Sequence, residues 1–432
     1  MKTSFKSKAF RFSPAVLVAA VLVASFALPH ASKFGSYKLL TYGYGYGPGG
    51  TFLAPPNQFH PLTPARIVDT RNGATPLAPG ETRDFLVATQ GGIPAGATAA
   101  VINVTATNAT AEGYLTIFPT GSTRAVASNL NFKPGQNVPN LVETALGTGG
   151  FVSVYNPAGH TDVIFDVAGY VSVPVGTPGA DGLFNSIVPA RVLDTRDGTG
   201  TGGTVAKVGA GSSIDLTVTG AGGVPSTGVE AVVLNVTATN PTAAGYVTAW
   251  PKGATQPVAS NLNFVAGQTV PNRVIVKVGT GGKVSLYNPA GTVDLVADVN
   301  GWFTDGTTSN AAGDVFFGTG PNRIMDTRLG GAPAGPASTI HMNVWGQGGV
   351  PTTAHSVVLN VTVTNPAGGN PSSYLTLWPT GSTQPLASDV NFHNGLTIAN
   401  LTLVKIGANG QVDVYNAAGT TQIVVDVVGW YS

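Results

Sequence analysis

The chain has 432 residues, with 21 basic and 20 acidic side chains, 58 glycines, 31 prolines and no cysteine. This length suits about two to four domains, each able to bury its own core. The lack of thiols excludes disulfides, thiolate catalysis and cysteine-ligated metal. Abundant Gly, Pro, Thr, Val and Asn with little Glu or Lys favours strands and tight turns over helices, so an all-β protein is expected.

Lys2, Lys6, Lys8 and Arg11 precede an apolar run over 14–28, and Ser25-Phe26-Ala27 offers a small-x-small cleavage site. Residues 1–27 therefore read as a secretory signal peptide. An anchor is the weaker reading, since about 15 helical residues span roughly 22 Å, short of a ~30 Å hydrocarbon core. Cleavage would remove four basic residues, leaving 17 against 20 acidic ones, a net charge of −3. The expected product is secreted, extracellular or at the cell surface, without a membrane segment and without a basic patch for nucleic acid. Residues 28–61, with Tyr and Gly alternating from Tyr42 to Gly47 and prolines beyond, read as a spacer.

From residue 62 the chain is one unit written three times. Pro64-Ala65-Arg66-Ile67-Val68-Asp69-Thr70-Arg71 returns from Pro189 to Arg196 and from Pro321 to Arg328. Spacings of 125 and 132 residues are too long for a solenoid and suit whole domains. The expected organisation is three tandem β-sandwich modules, jelly-roll or Ig-like. Repeat one covers 62–173, repeat two 187–303 and repeat three 316–432, joined by linkers 174–186 and 304–315. The first repeat holds strand candidates at 66–70, 83–88, 99–107, 114–118, 127–132, 141–146, 151–155 and 162–171, rich in β-branched and aromatic residues and bounded by Gly, Pro or Asn. Gly147-Thr148-Gly149-Gly150, matched by Gly407-Ala408-Asn409-Gly410, reads as a hairpin turn.

Only 9% of residues are charged, so charges that recur at one spacing need a reason. Arg66, Asp69 and Arg71 are matched by Arg191, Asp194 and Arg196, and by Arg323, Asp326 and Arg328. Near the end of each repeat stands Asp166, Asp298 or Asp426 among aliphatic residues. A carboxylate in such surroundings needs a partner. The expectation is that first and last strands meet and that one arginine grips this aspartate bidentately, as a structural ion network. The competing reading, a catalytic carboxylate pair, lacks a recurring His or Ser base.

Two further sets recur. Asn103-Val104-Thr105, Asn235-Val236-Thr237 and Asn360-Val361-Thr362 match a glycosylation acceptor but lie mid-strand, where bridging polar groups on a sheet is the preferred reading. Tyr114, Thr116 and Phe118 alternate with core-type residues, as do Tyr246, Thr248 and Trp250, and Tyr374, Thr376 and Trp378. With Asn129, Asn131, Asn261 and Asn263 nearby, these faces are candidate ligand sites, since a sugar stacks its apolar face on a ring and gives its hydroxyls to amides. Packing of the same rings under a loop or against the second sheet is the competing reading, and the favoured one. The six histidines share no repeat position, and no phosphate loop or nucleophile elbow is present. No catalytic residue, metal site or cofactor is expected.

The order Pro-Ala-Arg-x-x-Asp-Thr-Arg, Asn-Val-Thr-x-Thr-Asn, Ser-Asn-Leu-Asn-Phe, Tyr-Asn-x-x-Gly and Asp-Val-x-Gly-Tyr/Trp resembles a β-rich tandem repeat module of bacterial secreted and surface proteins. That resemblance implies an accessory surface role and no assigned catalytic residues. The third copy departs at Asn322 and Asp389, which puts its binding in question. The resulting expectation is a non-enzymatic adhesive or structural surface protein that holds cell-wall or extracellular polysaccharide through weak sites on linked modules. A self-associating subunit of a layer or filament is the alternative, and a hydrolase using the recurrent aspartates a third reading.

Overall fold

The computed structural model describes residues 57–174, 179–307, 312–364, 372–393 and 395–432. The expected signal peptide, 1–27, and nearly all of the expected spacer, 28–61, lie outside them. The described chain is all-β, with two short 3₁₀ turns at Thr148–Gly150 and Thr327–Leu329. The first repeat supplies β1 (Gln58–Asp69), β2 (Glu81–Leu86), β3 (Ala97–Thr107), β4 (Gly113–Pro119), β5 (Leu130–Phe132), β6 (Val138–Ala145), β7 (Phe151–Asn156) and β8 (Asp162–Ser172). The second supplies β9 (Asp181–Asp194), β10 (Ser212–Thr217), β11 (Val229–Thr239), β12 (Gly245–Pro251), β13 (Leu262–Phe264), β14 (Val270–Lys277), β15 (Lys283–Asn288) and β16 (Asp294–Asp305). The third supplies β17 (Phe316–Asp326), β18 (Ser338–Asn343), β19 (Ser356–Thr364), β20 (Ser373–Pro379), β21 (Val390–Phe392), β22 (Thr397–Lys405), β23 (Gln411–Asn416) and β24 (Gln422–Tyr431).

Six four-stranded sheets result. The first repeat forms β1-β8-β3-β6 and β2-β7-β4-β5, and the other two repeat both orders. A cluster that includes Ile102, Val104, Leu115, Ile117, Val152 and Phe165 draws on both sheets of the first repeat, and each later repeat has its equivalent. Period-two alternation sends Leu115 and Ile117 inward from β4, as expected.

A fourth cluster belongs to no single repeat. Phe59, Val101 and Leu141 meet Phe184, Val233 and Phe303 of the second repeat and Phe316, Val358 and Tyr431 of the third. The sheets containing β3, β11 and β19 are thus covered on both faces, which is why these strands are buried almost residue by residue. The expectation of three separate modules joined by linkers is corrected: apolar residues on the outer sheet faces give the repeats a common core. Boundaries move accordingly. Residues 58–61 of the expected spacer and 181–186 of the expected first linker are strand, and Phe59 and Phe184 are almost completely buried.

Those phenylalanines explain the glycine in Asp-Val-x-Gly-aromatic. A Cβ on Gly169, Gly301 or Gly429 would lie within 2.4–2.5 Å of the ring of Phe59, Phe184 or Phe316. The Gly147–Gly150 segment is also corrected. It links β6 to β7, which lie in different sheets, so it is a crossover and no hairpin. Gly147 is required by contact: its Cβ would fall 2.1 Å from Thr120 backbone atoms.

Candidate functional site

Each recurrent charge finds its partner inside its own repeat. Antiparallel pairing of β1 with β8 sets Arg66 opposite Asp166. Arg66 Nε and Nη2 donate to the two carboxylate oxygens at 2.8 and 3.0 Å. Arg191 grips Asp298 at 2.6 and 3.3 Å, and Arg323 grips Asp426 at 2.9 and 3.2 Å. The second arginine folds back two residues: Arg71 Nε and Nη2 donate to Asp69 at 2.8 and 2.6 Å, with Arg196–Asp194 and Arg328–Asp326 alike. All oxygens of Asp69 and Asp166 accept from guanidinium groups, which leaves neither carboxylate set up as a general base. The two types of aspartate are tuned in opposite directions. Burial pushes the Asp166 carboxyl up against the pull of Arg66, whereas the Arg71 hydrogen bond holds Asp69 low.

Removing one partner of such a pair leaves the other charge stranded. Asp166→Ala in the full chain is therefore expected to cost about 2–4 kcal/mol of unfolding free energy in a denaturant titration. An unchanged midpoint would show that the β1–β8 ion pair is energetically idle.

The aromatic faces divide. Phe118, Trp250 and Trp378 are only 5, 7 and 4% exposed, and the tryptophan Nε1 groups donate to Ala254 O and Ser382 O of the following turns. Rings at these positions pack under a loop and offer no platform. Asn129 and Asn261 are buried as well, each with its Oδ1 accepting from the backbone of the preceding strand, at Ile117 N and Ala249 N. Asn103 belongs to β3, which lies in a different sheet from β4. Tyr114, Tyr246, Asn131 and Asn263 remain half-buried, and Tyr374 is 36% exposed.

Asn103, Asn235 and Asn360 do bridge polar groups, but between repeats. Their Nδ2 atoms donate to Ser260 O at 2.5 Å, to Ser388 O, and to Ser128 O at 2.5 Å. The order runs first to second, second to third and third to first, so the ring of contacts closes. Sequence reasoning missed the partners. Asn140, Asn272 and Asn400 sit where β6, β14 and β22 touch one another, and are 1% exposed. Their Nδ2 atoms reach Asn360, Asn103 and Asn235 Oδ1 at 2.9–3.0 Å, while their Oδ1 atoms accept from Leu401, Leu141 and Arg273 backbone N–H groups at 3.0–3.3 Å. The available signal was an asparagine recurring at one strand position, after Pro139, Pro271 or Ala399.

Next to this triad, at the starts of β6, β14 and β22, lies a cavity of about 790 Å³. Val138-Pro139, Val270-Pro271 and Ile398-Ala399 line it beside the asparagines. Tyr114, Asn131 and Phe132 contribute from the first repeat, Tyr246, Asn263 and Phe264 from the second, and Asn391 from the third. Four of the sequence candidates, Tyr114, Asn131, Tyr246 and Asn263, are thus brought to one place. Phe118, Trp250 and Trp378 are not among the lining residues.

No protein-family model and no curated protein matches the chain. Among solved structures it is similar to a protein of an archaeal virus described for its triple jelly roll fold and turret assembly, at 11% identity over 87% of this chain and 90% of that one, TM-score 0.17. A second similar structure comes from Sulfolobus Turreted Icosahedral Virus, at 12% identity over 87% and 91%, again with TM-score 0.17.

One seam carries a buried ion pair. Arg273 of β14 stands where the other repeats have Leu141 and Leu401, and Asp389 where they have Asn129 and Asn261. Arg273 Nη2 donates to Asp389 Oδ1 at 2.7 Å, Nε to Leu401 O at 3.1 Å, and Nη1 to Asn300 Oδ1. Both side chains are sealed from solvent at 0 and 2% exposure. Asp389 is therefore an inter-repeat ion partner, which accounts for its departure from the repeated pattern.

Proposed function

We propose that the protein is a secreted, non-enzymatic surface protein that binds polysaccharide as one rigid body. Strand orders β1-β8-β3-β6 and β2-β7-β4-β5 are those of two jelly-roll sheets, so each repeat is read as one jelly-roll sandwich. The observation that carries the proposal is how the recurrent polar groups are used. The arginines and aspartates are consumed in ion pairs and the buried asparagines in strand or seam hydrogen bonds, while the tyrosines and outer asparagines of two repeats converge on one cavity. Such a body recognises by shape and hydrogen bonding and needs no catalytic base. Co-sedimentation of the full chain with insoluble cell-wall and other polysaccharides tests it. Retention without release of soluble sugars is expected; turnover abolished by Asp166, Asp298 and Asp426 substitutions would replace the proposal with a hydrolase.

A specific observation favours the structural reading as the second. Val126, Val258 and Leu386 occupy one matched position in the three repeats and are 88, 81 and 78% exposed. Aliphatic residues standing free at three equivalent places suit contact with further copies in a layer. Concentration-dependent assembly in sedimentation velocity without glycan, lost when all three become serine, is the outcome expected if that reading holds.

A further inference from the structure

We infer that the cavity shared by the three repeats is a site for one segment of an uncharged saccharide, about two to four sugar units long. The inference rests on the polysaccharide-binding reading above and replaces three weak sites with a single one. Its volume of about 790 Å³ falls within the few-hundred to ~1,000 Å³ usual for small-molecule sites. Its charged lining residues, Glu112 and Lys133, oppose each other in sign, and the Lys133 ammonium already donates to Gly395 O at 2.7 Å. What remains is an apolar and aromatic wall set with amides, each of which both donates and accepts as a sugar hydroxyl requires.

The second, independent observation is an unmet bond. Asn131 Nδ2 donates to Ser128 Oγ at 3.2 Å, and Asn391 Oδ1 accepts from Ser388 Oγ at 3.0 Å. Asn263, at the equivalent place in the second repeat, has its Nδ2 buried without a hydrogen-bond partner among the described residues. A buried donor left unpaired is costly; Asn263 lines the cavity but its Nδ2 is sealed from it, so a turn of this amide toward the cavity is part of the inference and would give the donor a ligand oxygen. Stacking falls to Tyr114 and Tyr246, each backed by a second tyrosine, Tyr155 or Tyr287, with ring centroids 6.4 Å apart.

The experiment is calorimetric titration of the full chain with hexose and N-acetylhexosamine oligomers of two to four units. One site per chain is expected. Asn263→Leu should weaken binding at least tenfold without lowering the melting temperature, because it deletes an unsatisfied polar group. Tyr114→Ala combined with Tyr246→Ala should weaken it at least as much. Asn263→Ser, smaller and still polar, serves as the second variant if the leucine does not fold. Three sites per chain, or affinity unchanged in folded variants, would overturn the inference while retention on insoluble polysaccharide kept the broader reading alive. Binding of an apolar dye with no oligosaccharide bound would overturn it too, and absence of both soluble and insoluble glycan binding would remove both.

Discussion

Arg273→Leu and Asp389→Asn are each expected to destabilise the chain by about 3–5 kcal/mol, and the two together by far less, because each single change strands a buried partner. Both substitutions are the ones the sibling repeats already carry, so the double variant gives all three seams the same Leu–Asn pairing. Burial pushes the Asp389 carboxyl up and the Arg273 guanidinium down, each against the pull of the other, and the desolvation of a buried pair offsets much of its attraction. Asp389→Asn keeps the acceptor that receives Leu377 N–H at 2.7 Å but leaves a guanidinium without its counter-charge. Arg273→Leu frees Leu401 O and Asn300 Oδ1 as well, so full recovery calls for Asn300→Ala, the residue at Ala168. The check is a double-mutant cycle in denaturant. A coupling energy near zero would mean that the pair is solvated or adapts independently.

The pair also shows what covalent fusion of the repeats permits. In an assembly of three identical chains a residue change would appear at every seam, and Arg would face Asp only if both changed at once in all copies. Here the second-to-third seam carries a charge pair, while a carboxyl and a phenol meet between the first and third repeats. Distinct seams assign each repeat its own neighbour and disfavour shuffled or intermolecular pairings.

The ion pairs were legible because charge is scarce and spacing repeats: Arg66, Asp69 and Asp166 stand out against an apolar background, and burial leaves them few other partners. Strand content was legible from period-two alternation, and all eight candidates of the first repeat have a strand in the structure. What lies between elements was not. Turn chemistry at Gly147–Gly150 is local and says nothing about which sheet the next strand joins. Alternation likewise assigned Trp250 and Trp378 to the face away from the core without showing that a turn folds over them. Phe59 and Phe184 sat in stretches whose neighbours read as spacer and linker, and only the three-repeat packing gives those rings a core to enter. The cavity was half legible. Tyr114, Asn131, Tyr246 and Asn263 were singled out within their own repeats, but their convergence depends on contacts more than a hundred residues apart in sequence.

The second large effect concerns Glu143, which lies where the other repeats have Ile275 and Leu403 and is fully buried in the shared core. Its Oε1 accepts from Tyr431 Oη at 2.7 Å, while Oε2 has no partner among the described residues. Burial pushes its pKa from 4.5 up to about 7, against the smaller pull of the tyrosine. The folded value lies above the unfolded one, so the neutral acid is the form the fold accepts. Stability from this group is whole below pH 4.5 and is lost as pH rises to 7, a difference of about 3 kcal/mol from the 1.36 kcal/mol per pH unit of linkage. Chemical unfolding of the wild type is therefore expected to weaken across that window. Glu143→Gln should flatten this part of the profile, keeping an acceptor for Tyr431 and removing the titration. Glu143→Leu should flatten it equally, leaving the Tyr431 hydroxyl unpaired but sparing the buried amide N–H groups that glutamine would place where Oε2 has no partner, so the two flat curves should lie within about 1–3 kcal/mol of each other. A wild-type profile parallel to that of Glu143→Gln between pH 4.5 and 7 would show that the carboxyl reaches solvent and titrates normally. The repeats would then part more readily at this seam than the closed ring of asparagine contacts implies.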